Sequence, residues 1–197
     1  MGAVSLEALR EQIRALEGAP VRGTVQETGV PLVDELLGGL PVPGLVELLG
    51  PQGSGRARLA LTVVAALQRR GEWVCWVDFA GAFYPPAAAQ RGVELSSLLV
   101  VRPPAGRGAW AVEQILRSGL FSLVVAADPP ALGPAGARWA RAAEGGMSTG
   151  MVLRGRSGRD LPVAARVAFG AGEAVVTRRV GGQLGGRARW HREGWSL

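Results

Sequence analysis

Apolar residues in this chain come in two arrangements that alternate along most of its length. Short, mainly apolar runs at 45–49, 73–77, 98–101 and 120–126 lack any in–out alternation. Such runs predict strands buried on both faces, as in a parallel sheet covered by crossover helices. Between them, segments at 58–70, 86–91, 108–118 and 134–144 predict the helices, the second a short one closed by Gly92. In the third of these, Trp110, Val112, Ile115 and Leu116 are the expected core stripe. After Gly150 the pattern shortens to strands at 151–153, 166–168 and 174–179, with turns rich in glycine and arginine and a candidate edge strand at 187–190. The sum is an α/β fold with a mainly parallel sheet flanked by helices.

The chain begins differently. Residues 5–17 predict a short amphipathic helix in which Leu6, Leu9, Ile13 and Leu16 share a face, while Glu7, Arg10, Glu11 and Arg14 take the others. Ser5 is a suitable N-cap and Gly18 a suitable stop. A helix this short is unstable alone, so its stripe must pack, either on its own domain or on a neighbouring protein. Residues 18–44 read as a linker and a short helix at 31–37 ended by Gly38 and Gly39. The expected organisation is an N-terminal helix and linker at 1–27, a core at 28–180, and a basic aromatic tail at 181–197.

Composition narrows the class. With 197 residues, 48% hydrophobic and 19% charged, the chain fits one folded domain with a substantial core. Its single cysteine, Cys75, falls in a predicted strand, so the expectation is a buried thiol in a reducing compartment. The charged N-terminus is no signal peptide and no apolar run approaches a membrane span, so a cytoplasmic protein without membrane contact is expected. His191, the only histidine, has no partner at ligand spacing, and no metal site is expected.

Charge placement says more. All 22 basic residues are arginine. Residues 1–153 balance 13 arginines against 13 acids, whereas 154–197 hold nine against three and carry the net charge of +6. Such asymmetry fits an anionic partner, DNA first; a GC-rich genome using arginine as its general surface cation gives the same pattern. Within Arg154-Gly155-Arg156-Ser157-Gly158-Arg159, the guanidiniums of Arg154, Arg156 and Arg159 are candidates for phosphate contact, with a solvated turn as the alternative. Trp190 and Trp195, beside Arg187, Arg189 and Arg192, suit a protein interface or the cover of a sheet edge.

The richest stretch chemically is Gly50-Pro51-Gln52-Gly53-Ser54-Gly55-Arg56-Ala57, between a predicted strand and a predicted helix. The pattern G-x-x-x-x-G-K-[ST] brings backbone N–H groups to phosphate oxygens at a helix N-terminus. Here Gly50 and Gly55 keep the framework, with Gly53, Ser54 and Arg56 as the remaining candidate nucleotide contacts. The lysine position holds Arg56, and the hydroxyl position that should hold Mg²⁺ holds Ala57.

The order of these parts resembles the ATPase core of the RecA recombinase family over roughly residues 28–180. Gly39-Leu40-Pro41 before the first strand, Gly92-Val93-Glu94-Leu95 with Leu98-Leu99-Val100-Val101, and Arg117-Ser118-Gly119 all look like RecA segments. The resemblance implies a RecA-like P-loop NTPase core. Set on that pattern, the general-base glutamate falls on Ala80 and the aspartate closing the fourth strand falls on Ala127, with Asp128 one residue late. A one-residue slip on a strand reverses the face. The resemblance therefore implies no catalytic residue, no cofactor and no enzyme activity.

A narrower resemblance is to the ImuA-like accessory proteins of bacterial mutagenesis cassettes. It rests on Leu9-Arg10 through Ile13 to Leu16-Glu17, on Tyr84-Pro85-Pro86, and on Gly185-Gly186-Arg187-Ala188-Arg189-Trp190. It implies an adaptor in damage-induced translesion synthesis whose partners are RecA and the polymerase-like proteins of the same cassette. Leu6, Leu9, Ile13, Leu16, Trp190 and Trp195 would be the contacts. A DNA- or nucleotide-binding ATPase regulator, or a division inhibitor of the related SulA kind, are the alternatives.

Overall fold

A computed structural model describes residues 24–156, 161–170, 172–179, 185–191 and 194–196. The expected helix at 5–17, with Leu6, Leu9, Ile13 and Leu16, lies outside the described residues, and so does Arg159.

The chain enters through β1 (Thr24–Gln26), α1 (Pro31–Leu37) and β2 (Leu40–Val42), where β1 and β2 pair antiparallel as a small ribbon. The ribbon lies in the stretch read from sequence as linker. Gly38 ends α1 in the left-handed conformation at φ 68, as the paired glycines predicted. Then follow β3 (Gly44–Leu49), α2 (Arg56–Arg69), β4 (Val74–Asp78), α3 (Pro85–Ala89), β5 (Leu98–Val101), α4 (Gly108–Arg117), β6 (Leu123–Ala127), α5 (Ala135–Gly146) and β7 (Thr149–Arg154). Four more strands complete the described chain: β8 (Ala165–Gly170), β9 (Glu173–Arg179), β10 (Arg187–His191) and β11 (Gly194–Ser196).

Nine strands form one sheet in the order β11-β10-β9-β8-β3-β7-β6-β4-β5. Every pairing from β8 to β5 is parallel, and β9, β10 and β11 add antiparallel. The fold is the expected α/β architecture. The candidate strand at 187–190 exists, but β11 beyond it is the edge. Trp190 and Trp195 are register partners across β10 and β11, so this part of the tail continues the sheet.

Strand alternation sorts the core into two layers. Val46, Leu48, Val74 and Trp76 pack with Leu59, Val63, Val64 and Leu67 of α2. Leu45, Cys75, Val77 and Val124 pack on the other face with Val112, Leu116, Trp139 and Ala143 of α4 and α5. Cys75 is fully buried, as expected, and burial pushes its thiol up to about 12. One core assignment is corrected: Trp110 is 56% exposed. The buried line of α4 runs through Gly108, Val112 and Leu116, one residue every four, and Trp110 sits across the helix axis from it. Its ring lies instead beneath the Arg107 guanidinium, 5.7 Å from the centroid. Among the described residues no helix is long and apolar enough to cross a membrane.

Candidate functional site

Parallel strands end along one edge, and there the ends of β4, β6, β7 and β8, with the loop that follows β3, surround a cleft of about 760 Å³. Its floor is the glycine loop. The Gly50 N–H donates to the Arg154 carbonyl at 2.9 Å. A Cβ at Gly50 would lie 2.7 Å from Ser54 Oγ and 2.8 Å from the Phe169 carbonyl, so only glycine fits where loop and β8 meet. Gly55, at φ 98, turns the chain into α2 as its N-cap, and Arg56 is the first helical residue.

Arg56 is 4% exposed and its Nη2 donates to Asp128 Oδ1 at 2.7 Å. The sequence left Asp128 on the wrong side of a strand. The structure resolves this, because β6 stops at Ala127 and Asp128 adopts a left-handed backbone at φ 54 with its N–H on the Leu153 carbonyl at 3.0 Å. Strand alternation no longer applies, and aspartate tolerates this conformation better than most residues. A carboxylate thus reaches the P-loop cation across the cleft. Arg56 Nη1, Ser54 Oγ and Trp76 Nε1 are buried without a protein hydrogen-bond partner. Trp76 also meets Phe83 in a tilted arrangement, ring centroids 5.3 Å apart and planes at 53°, to form an aromatic wall. Arg58 and Arg91 line the mouth, and desolvation followed by repulsion from Arg91 lowers the pKa of Arg58.

The donor set does not match a bound divalent cation. Ala57 offers no oxygen, Asp128 is engaged by Arg56, and among the described residues no three His, Cys, Asp or Glu side chains cluster. Ala80 lines the cleft where the RecA pattern has glutamate. Asp78, the last residue of β4, caps the turn that follows it. It accepts the Ala82 N–H at 2.9 Å, the Phe83 N–H at 3.0 Å and Arg102 Nε at 3.1 Å.

The candidate DNA loop is corrected in part. Arg154 is the last residue of β7 and is 8% exposed. Its side chain faces β3, where Nη1 lies 3.5 Å from Oε1 of the fully buried Glu47. Arg166 of β8 donates to the other oxygen of Glu47. The Arg154 guanidinium is therefore used inside the fold, while Arg156 is exposed. Sequence reasoning missed this network. A lone carboxylate, Glu47, within an apolar strand was the available signal, since a buried charge requires partners.

A glycine loop between a central parallel strand and a helix, opening on a cleft at the strand ends, defines a P-loop-type α/β domain. The family model of the RecA N-terminal domain matches residues 19–153, and the chain belongs to that family. Similar proteins include "Protein RecA" of Mycoplasma genitalium, 37% identical over 110 residues that cover 54% of this chain and 32% of that protein. "Protein RecA" of Chloroherpeton thalassium is 34% identical over 140 residues, 66% of this chain and 39% of that protein. That of Thermus thermophilus is 38% identical over 99 residues, 50% and 29% of the two chains. The chain spans about a third of the length of these relatives.

Proposed function

We propose that this chain is a non-catalytic, RecA-like adaptor of the ImuA-like kind, acting in DNA-damage-induced translesion synthesis. The observation that carries the reading is the Arg56–Asp128 ion pair, 2.7 Å long, which spends both the P-loop cation and the nearest carboxylate on each other. Phosphoryl transfer needs a compact cation on the phosphates, a hydroxyl and an acid on Mg²⁺, and a group that orients water. Ala57 and Ala80 supply neither of the last two kinds of group, and a planar guanidinium is a poor substitute for an ammonium. The fold is kept and presents a RecA-like surface to RecA and to the polymerase-like proteins of the cassette, with the stripe Leu6, Leu9, Ile13 and Leu16 as the contact element.

Two measurements test this. Titration with a fluorescent ATP analogue, with and without Mg²⁺, should give no Mg²⁺-dependent binding and no phosphate release. Pull-down with RecA and the polymerase-like partner, with and without DNA, should retain at least one of them, and Leu9→Asp with Ile13→Asp should abolish that retention in a folded domain. Metal-dependent turnover, or no partner in any arm, ends the adaptor reading. A nucleotide-gated variant is favoured by one observation, the unpartnered Arg56 Nη1 and Ser54 Oγ. It expects nucleotide binding that persists without Mg²⁺.

A further inference from the structure

The opposite edge of the sheet, where the parallel strands begin, carries an apolar face that the described residues leave exposed. Trp73, Leu120 and Met147 lie just before β4, β6 and β7, three neighbours in the sheet, and are 67%, 71% and 60% exposed. The strand starts are joined there: the Ser122 N–H donates to the Trp73 carbonyl at 3.0 Å, and the Thr149 N–H to the Ser122 carbonyl at 3.0 Å. Three large apolar side chains in one exposed row mark a contact surface.

The position of Thr24 identifies the occupant. β1 runs antiparallel to β2 with Thr24 opposite Val42, and β2 leads through Pro43 into β3. The N–H of Gly44, first residue of β3, donates to the carbonyl of Ser148, the neighbour of Met147. The chain preceding Thr24 therefore joins the fold at this same edge. It carries the stripe Leu6, Leu9, Ile13 and Leu16, which needs an apolar partner. The connection from Glu17 to Thr24 reaches about 24 Å when extended, whereas three strand spacings, β3 to β4, measure about 14 Å. As a helix, the span from Leu6 to Leu16 is about 15 Å, enough to cover the row.

We propose that the stripe Leu6, Leu9, Ile13 and Leu16 docks in cis on the face formed by Trp73, Leu120 and Met147, so that a protein partner claiming the stripe must first displace it. The docking stands whether or not the adaptor reading does, because it concerns one chain alone. The full chain with Ile13→Cys and Leu120→Cys, treated with a short bismaleimide, tests it; Cys75 is buried and does not compete. The expected product is an internal cross-link at monomer size, with a yield independent of protein concentration. A second pair, Ile13→Cys with Tyr84→Cys, an exposed position beyond the opposite end of β4, should give little of it. Equal yields from the two pairs, no internal cross-link, or a concentration-dependent dimer would each overturn the proposal, the last by assigning the face to a second copy. A second readout uses Trp73→Ser with Leu120→Ser, both at exposed positions. Trypsin cleavage after Arg10 and Arg14 should accelerate by about tenfold or more as the docked fraction falls. An unchanged rate in that folded variant would overturn it as well.

Discussion

Glu47 is the residue whose replacement separates a structural from a nucleic-acid role for the arginine-rich segment. Its carboxylate is fully buried between Arg154 and Arg166, whose side chains are 9% and 20% exposed. Glu47→Gln keeps the shape and removes the charge, leaving two guanidiniums facing each other across β3. Breaking a buried ionic group in this way costs about 3–5 kcal/mol. The partial exposure of Arg166 argues for the lower end, about 3 kcal/mol. For a domain with a total stability of about 5–15 kcal/mol this is a large fraction. With a urea slope of about 2 kcal/mol per M, the midpoint should fall by about 1.5 M. Glu47→Leu combined with Arg154→Met and Arg166→Met removes the whole group and should recover most of the loss, since apolar replacement of an entire buried ionic group is often neutral. A midpoint shift below about 0.3 M for the single variant would refute the reasoning. So would a triple variant as unstable as the single, because packing and not the loss of the Glu47 carboxylate would then carry the cost. The same geometry predicts that Arg154→Ala destabilises the fold and leaves the salt dependence of any DNA binding unchanged, whereas a phosphate contact would change its slope by about one.

Other outcomes follow from the cleft and the core. Asp128→Ala should cost about 1–2 kcal/mol by denaturant unfolding, discounted because the carboxylate is 37% exposed; in a double-mutant cycle with Arg56→Met most of that cost should vanish, and additive losses would contradict the pair. Gly50→Ala should lose about 1–3 kcal/mol by overpacking against the Phe169 backbone, while the same change at Gly53, where a Cβ meets nothing within 4 Å, should cost only the strain of its φ of 79. Cys75, with its thiol raised to about 12, should resist alkylation in the native protein at pH 8 and react in urea. The linked pH effect has a definite sign. Well below pH 9 native and unfolded thiols are both protonated and stability is unaffected; as pH rises through that value only the unfolded thiol ionises, so stability falls as pH rises towards 12. Cys75→Ala should remove that decline, as followed by urea midpoints at pH 8.5 and 10.5.

The apolar runs made the fold legible because a strand covered on both faces has few alternatives to being apolar throughout. The run at 98–101 coincides with β5, and glycines marked the stops of α1 and the turn into α2. The small β1–β2 ribbon escaped notice because two three-residue strands separated by a helix leave no periodic trace. The start of β6 slipped for a related reason: Leu120 is apolar yet 71% exposed, and nothing in a run of apolar residues shows which of them the sheet includes.

For the site, the sequence by itself determined the identities that chemistry depends on: arginine at the lysine position, alanine at the hydroxyl position, glycines where the loop must turn. These are local facts, fixed by residue type and spacing. Only the tertiary structure decided that Asp128 reaches Arg56, because a left-handed residue past a strand end breaks the alternation by which sequence assigns faces. It likewise decided that Arg154 belongs to Glu47. Those two residues are brought together by the pairing of β7 with β3, and the partner of a charge 107 residues away is set by strand order and register, which no local pattern encodes.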